Sequence, residues 1–211
     1  MIICIGREFG SGGHEIGRIL AKKLGLELYD RDLIDKAAEK IVAMPKEVLK
    51  KADEKKHNPW LHQVWYDVPN QELNGMTAND TLHQAYSSII RELAGKENCV
   101  FVGRCADYAL EENPNVLSIF IKADMQDRIR RIAKLYDLSD AKAKDKITKI
   151  DKQRASYYNY YTSKRWGEVD SYDLCLNSSV FGIDGTVDMI KQAIAVSYTH
   201  LRAHETLRHL V

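Results

Sequence analysis

Apolar positions fall into two kinds of stretch. Ile2-Ile3-Cys4-Ile5, Cys99-Val100-Phe101-Val102, Val116 to Ile121 and Leu174-Cys175-Leu176 are short and apolar without alternation, as strands buried on both faces are. Leu26-Glu27-Leu28-Tyr29 alternates and predicts a further strand. Between these runs, apolar residues recur at helical spacing: Ile16, Ile19, Leu20 and Leu24; Leu33, Ile34, Ala37, Ile41 and Val42; Leu82, Tyr86, Ile89, Ile90 and Leu93; Ile129, Ile132, Ala133 and Tyr136; Val187, Ile190 and Ile194. Gly25 and Gly95 mark helix ends, Asn79-Asp80 a helix start, and a long polar helix begins near Asp140. Strands alternating with helices predict an α/β fold, a parallel sheet covered by helices on both faces, with no internal repeat. The stretch from Lys46 to about Asn79 is less regular and carries Trp60 and Trp65.

Composition narrows the function. The 211 residues suit one domain with insertions. With 31 Lys+Arg against 30 Asp+Glu, and aromatics not interleaved with a basic stripe, no general attraction to nucleic acid is expected. No apolar run approaches the roughly 18 residues of a membrane span, and Gly6-Arg7-Glu8 follows the first run at once, so the chain reads as cytoplasmic, without a membrane partner. Cys4, Cys99, Cys105 and Cys175 form neither a CxxC pair nor a dense framework, which predicts buried, reduced thiols. A serine or cysteine hydrolase lacks its G-x-S-x-G elbow.

The chemistry concentrates first in Gly6-Arg7-Glu8-Phe9-Gly10-Ser11-Gly12-Gly13-His14, between a strand and a helix. Such a loop aims backbone N–H groups and a helix dipole at phosphate, or serves simply as a tight turn. The usual pattern GxxxxGK[ST] is not satisfied. With Gly12 as the second glycine, Gly13 stands where the lysine belongs and His14 where the hydroxyl belongs. A lost charge-assisted hydrogen bond costs about 1.5–3 kcal/mol, so another cation must compensate, and Arg7 and Arg18 are nearest. Glu8 repels phosphate unless it pairs with Arg7 or faces magnesium.

Three further strings accompany the loop in order: Tyr29-Asp30-Arg31-Asp32-Leu33-Ile34, Val102-Gly103-Arg104-Cys105-Ala106-Asp107, and Asp151-Lys152-Gln153-Arg154 with Tyr157-Tyr158. Together with Tyr172-Asp173-Leu174-Cys175-Leu176-Asn177 they make residues 1 to about 196 resemble the cytidylate-kinase-like family of P-loop phosphotransferases. The resemblance implies a nucleoside-monophosphate-kinase-like three-layer sandwich: a five-stranded parallel sheet with helices on both faces, an acceptor-binding insertion over 31–95 and a helical LID over 138–168. It implies small nucleotide substrates, ATP and Mg²⁺, and transfer of the γ-phosphoryl group to CMP or dCMP. Such transfer depends on positioning and charge neutralisation. A nucleotide-binding protein with little catalysis and a kinase for another small acceptor stay open as alternatives, as does the oligomeric state.

The resemblance also suggests roles. Arg7, Gly10, Ser11, Gly12, Gly13 and His14 would hold the donor phosphates, with capping the other reading of His14. Asp30 would stand near magnesium, or cap the next helix; the family's Asp-Thr/Ser-Gly-Ala run is replaced by Asp30-Arg31-Asp32. Arg104 would grip the acceptor with its planar fork, although Cys105 follows it where the family places aspartate. Arg131 and Arg154 would close on ATP; Arg154 shares a stripe with Ile147 and Ile150, where a charge needs a partner. Lys142, Lys144, Lys146 and Lys149 read as a solvated face. Tyr157, Tyr158, Tyr160 and Tyr161 stack on a base or pack internally. Trp60 and Trp65 wall the acceptor pocket or fill the core.

Residues 197–211 change character. His200 and His204, at i,i+4, suggest a metal site, whereas Ser197 to Thr206 also resembles translated sequencing-adapter read-through. A disordered tail, or one foreign to the family, is expected.

Overall fold

A computed structural model describes residues 1–34, 78–96 and 98–208. Its strands are β1 (Ile2–Arg7), β2 (Glu27–Tyr29), β3 (Cys99–Val102), β4 (Val116–Lys122) and β5 (Leu174–Asn177). Its helices are α1 (Gly13–Leu24), α2 (Ala78–Lys96), α3 (Ala106–Ala109), α4 (Met125–Tyr136), α5 (Asp140–Tyr161) and α6 (Ser178–Arg208), the last being two helical stretches that meet at Gly182.

The strands form one parallel sheet in the order β2-β3-β1-β4-β5. Successive side chains of a strand point to opposite faces, so the unbroken apolar runs feed two cores. Ile2 and Cys4 of β1, with Cys99 and Phe101 of β3, pack under Leu82, Tyr86, Ile89 and Ile90 of α2. Ile3 and Ile5, with Val100, Val102, Ile119 and Ile121, pack against Ile16 and Leu20 of α1 and Val187, Ile190 and Ile194 of α6. The expected five-stranded α/β sandwich is therefore present. A third, smaller cluster joins Ile129 and Ile132 of α4 to Ala143 and Ile147 of α5, and Phe9 packs against it. That cluster seats the expected LID segment beside the glycine loop.

The helical backbone of α6 continues through Arg208. Trp60, Trp65 and most of the expected insertion lie outside the described residues, as do the side chains of His200 and His204. Cys4, Cys99 and Cys105 are buried free thiols, while Cys175 is half-buried. No helix among the described residues is long and apolar enough to cross a membrane.

Candidate active site

β1 lies between β3 and β4, so chain connections leave in opposite directions at its C-terminal end and open a crevice there. A cavity of about 340 Å³ occupies that end. Its walls come from the end of β1 (Gly6, Arg7), Phe9 of the glycine loop, the turn after β3 (Gly103 to Asp107), Arg31 after β2, and α5 (Gln153, Arg154, Tyr157, Tyr158), closed by Trp166 and Tyr172.

The glycine loop borders it. Gly12, with φ of 80°, precedes the first turn of α1, and among the described residues no side chain caps that helix, which leaves its N-terminal N–H groups available to a phosphate. The loop's other groups are engaged internally. Ser11 is buried and its hydroxyl donates to the Glu8 carbonyl at 2.9 Å. Glu8 pairs with Arg128 at 3.2 Å and accepts from the Ala123 N–H at 2.9 Å. It thus finds its cation on α4 and not in Arg7. Arg128, itself buried, also pairs with Asp151 of α5 and donates to the Phe9 carbonyl at 2.9 Å. Asp151 accepts from the Phe9 N–H at 2.8 Å. Loop, α4 and α5 thereby share one ionic network, which the sequence reading did not pick out.

Four guanidinium groups line the cavity: Arg7, Arg31, Arg104 and Arg154. Arg154 donates to the Arg7 carbonyl at 2.9 Å and lies over the Phe9 ring. Burial lowers its pKa to about 10, against the opposing pull of Asp151. Burial, then the charges of Arg154, Arg104 and Arg31, push the Arg7 guanidinium well below its ordinary value. Among the described residues no carboxylate lies within ion-pairing distance of Arg7. Like charges gathered in a partly enclosed space are relieved by a bound anion, and phosphate suits guanidinium geometry.

Arg104 sits in a turn in which Gly103, Arg104 and Cys105 have φ of 86°, 58° and 53°. Left-handed backbone at non-glycine residues is strained, and such strain gathers at functional sites. The turn lays the Arg104 guanidinium over the Tyr86 ring, 4.5 Å from its centroid. Asp107, three residues past Arg104, is buried and accepts the Tyr158 hydroxyl at 2.6 Å. Burial raises the Asp107 pKa, outweighing the Tyr158 hydrogen bond. Sequence reasoning passed over Asp107, Arg31 and Trp166. A carboxylate three residues past a strand-end arginine, ahead of apolar Ala109 and Leu110, was the available signal for the first.

The remaining sequence candidates are placed as follows. His14 meets Asp30 at 3.1 Å, and Asp30 also accepts the Leu33 N–H at 3.2 Å, capping the helical turn at 31–34. Burial works to raise the Asp30 pKa, but these hydrogen bonds win and hold it below its usual value, so it is ionised. Among the described residues no group of three metal-ligating side chains exists; one ionised carboxylate, with phosphate and water, is nonetheless an ordinary magnesium shell. Arg131 ion-pairs with Glu15 and lies across Gly12, at the loop and outside the cavity. Arg18 is exposed on α1, so of the two arginines nearest the loop in sequence Arg7 is the one that lines the cavity. Lys146, expected on a solvated face, instead lines the cavity with its ammonium over the Tyr136 ring. Tyr157 and Tyr158 line the cavity too, whereas Tyr161 stacks on His83 at 4.0 Å and Tyr160 is half exposed.

The sheet order, glycine loop and switch-point cavity define a P-loop kinase fold. A shikimate kinase from Bacteroides thetaiotaomicron shares it, with a TM-score of 0.54 at 15% identity over 92% of this chain and 98% of that one. The chain belongs to the cytidylate kinase-like family, whose profile matches residues 2–180. It is similar to the cytidylate kinase of Archaeoglobus fulgidus, at 27% identity over 203 residues, covering 93% of this chain and 96% of that one. The cytidylate kinase of Methanococcus aeolicus is 23% identical, over 92% of this chain and 98% of that one. Among solved structures, an uncharacterised protein from Eubacterium ventriosum aligns with a TM-score of 0.71 at 29% identity, over 92% of this chain and 98% of that one. Family and fold make the chain a nucleotide-binding kinase.

Proposed function

We propose that this chain transfers the γ-phosphoryl group of ATP to a pyrimidine nucleoside monophosphate, CMP or dCMP. The observation that carries the reading is the convergence of Arg7, Arg31, Arg104 and Arg154 on one cavity beside an uncapped helix N-terminus. In this reading the first-turn N–H groups of α1 hold the donor phosphates, with Arg131 across Gly12. Arg104 and Arg31 orient the acceptor phosphate, and Arg154 reaches in from the LID to neutralise charge developing on the transferred group. Asp30 is the carboxylate that would hold magnesium, which would supply charge neutralisation during phosphoryl transfer. Tyr157, Tyr158 and Trp166 enclose the acceptor and exclude water.

A second reading, a kinase for another small acceptor, is favoured by Cys105: a buried thiol follows Arg104 where the resemblance calls for a carboxylate. An ADP-release assay with Mg-ATP against CMP, dCMP, UMP, AMP, GMP and dTMP separates the two. Turnover with CMP or dCMP alone supports the first; ATP binding without turnover on the panel moves the function to another acceptor. Chain ending at Val196 is run beside the full chain and is expected to match it.

A further inference from the structure

The loop cation lies at the wrong end of its motif, and the geometry explains why. Counting from Gly12 as the second glycine of GxxxxGK[ST], the first glycine position is occupied by Arg7 and the lysine position by Gly13. A Cβ placed on Gly13 would stand 2.5 Å from the Arg7 Cβ and 2.9 Å from its Cγ, distances that real side chains do not adopt. The two positions are therefore mutually exclusive: one must be glycine for the other to carry a side chain. From Gly13 the Arg7 side chain runs to Gly103, where a Cβ would collide with its guanidinium. Gly103 has φ of 86°, which suits glycine on its own account, and its missing side chain also keeps that path open.

We infer that Arg7 and Gly13 are an exchanged pair, in which the phosphate-contacting cation comes from the end of β1 instead of the start of α1. This deepens the kinase reading above and rests on it only for the identity of the anion. Because the guanidinium lies against Gly103, among Arg31, Arg104 and Arg154, it approaches the phosphoryl group from the acceptor side. One charge then serves donor and acceptor phosphates together, which a lysine rooted in α1 would not.

The steric half is tested without ligand by thermal unfolding of Gly13→Lys, Arg7→Gly and the double variant. Gly13→Lys is expected to unfold at lower temperature than the native chain, and adding Arg7→Gly is expected to restore most of that loss. An unchanged midpoint for Gly13→Lys, or no recovery in the double variant, overturns the exchange. The charge half is tested by calorimetry with inorganic tripolyphosphate and with ATP. Arg7→Gly is expected to weaken binding about ten- to hundredfold, the equivalent of one charge-assisted hydrogen bond, with partial recovery in the double variant and in Arg7→Lys. Native-like binding by Arg7→Gly overturns the role. Failure of the native chain to bind either probe defeats the kinase reading and the charge role, while the unfolding series still judges the steric pair.

Discussion

The Tyr158 hydroxyl of α5 donates to the buried Asp107 carboxylate at 2.6 Å, tying the helix of the expected LID to the turn that presents Arg104. Tyr172 packs its ring on Tyr158 from the other side. Burial raises the Tyr158 pKa, with Asp107 adding to it, so the tyrosine stays protonated as the donor. The Tyr158→Phe variant leaves a buried carboxylate short of its partner, a change that costs about 1–3 kcal/mol. The loss should be largest near neutral pH and shrink in acid. Asp107 already has a raised pKa, and losing the donor raises it further, so protonation relieves the unpaired charge. Urea unfolding at pH 5 and pH 7.5 checks both size and direction.

Arg104 and Arg154 both line the cavity but stand on different elements, the turn after β3 and α5. Replacing either with alanine should lower kcat/KM about 30- to 1000-fold, the range for a lost guanidinium contact to a transferring phosphoryl group. Arg104→Ala is expected to raise the acceptor KM more than the ATP KM, and Arg154→Ala to act mainly on kcat. Initial rates with each substrate varied separately distinguish them, with circular dichroism confirming the fold. A kcat/KM left intact in either variant removes that residue from the site.

His83 of α2 stacks on Tyr161 and meets the Tyr157 hydroxyl at 3.1 Å, joining α2 to α5. Burial lowers its pKa to about 4, against an ordinary value near 6.5. In the unfolded chain it takes up a proton below about pH 6.5, whereas in the folded chain it does so only near pH 4. Stability from this contact is therefore present above pH 6.5 and declines as pH falls toward 4. The ring is partly exposed, so the amount is discounted to about 1–2 kcal/mol. The His83→Gln variant should flatten that part of the pH–stability curve; a curve of unchanged shape would assign the acid loss to other groups.

Arg128 holds Glu8, Asp151 and the Phe9 carbonyl from a buried position. Removing it leaves two carboxylates facing each other at the base of the loop, and breaking a buried pair in this way costs about 3–5 kcal/mol. Arg128→Met should lower the unfolding midpoint strongly and weaken ATP binding, because the loop loses its tie to α4. Scanning calorimetry with and without ATP reads both effects.

Much of this molecule was legible from local pattern. Unbroken apolar runs such as Cys99 to Val102 marked strands buried on both faces, because only a parallel sheet between helix layers hides both sides of a strand. The glycine loop stood out as a glycine-rich turn between strand and helix, Arg104 through the family resemblance at a strand end, and Arg154 as a charge on an apolar stripe that needs a partner. The partners were not legible. That Glu8 meets Arg128, that Tyr158 meets Asp107, and that Arg7 occupies the space a side chain at Gly13 would need are relations across 120, 51 and 6 residues of chain. The helical and strand periods determine which face a residue takes, and that is a local matter of backbone geometry. Which side chain fills the space opposite is decided only when sheet order brings distant strand ends to one crevice, where burial makes each charge answer to its neighbours.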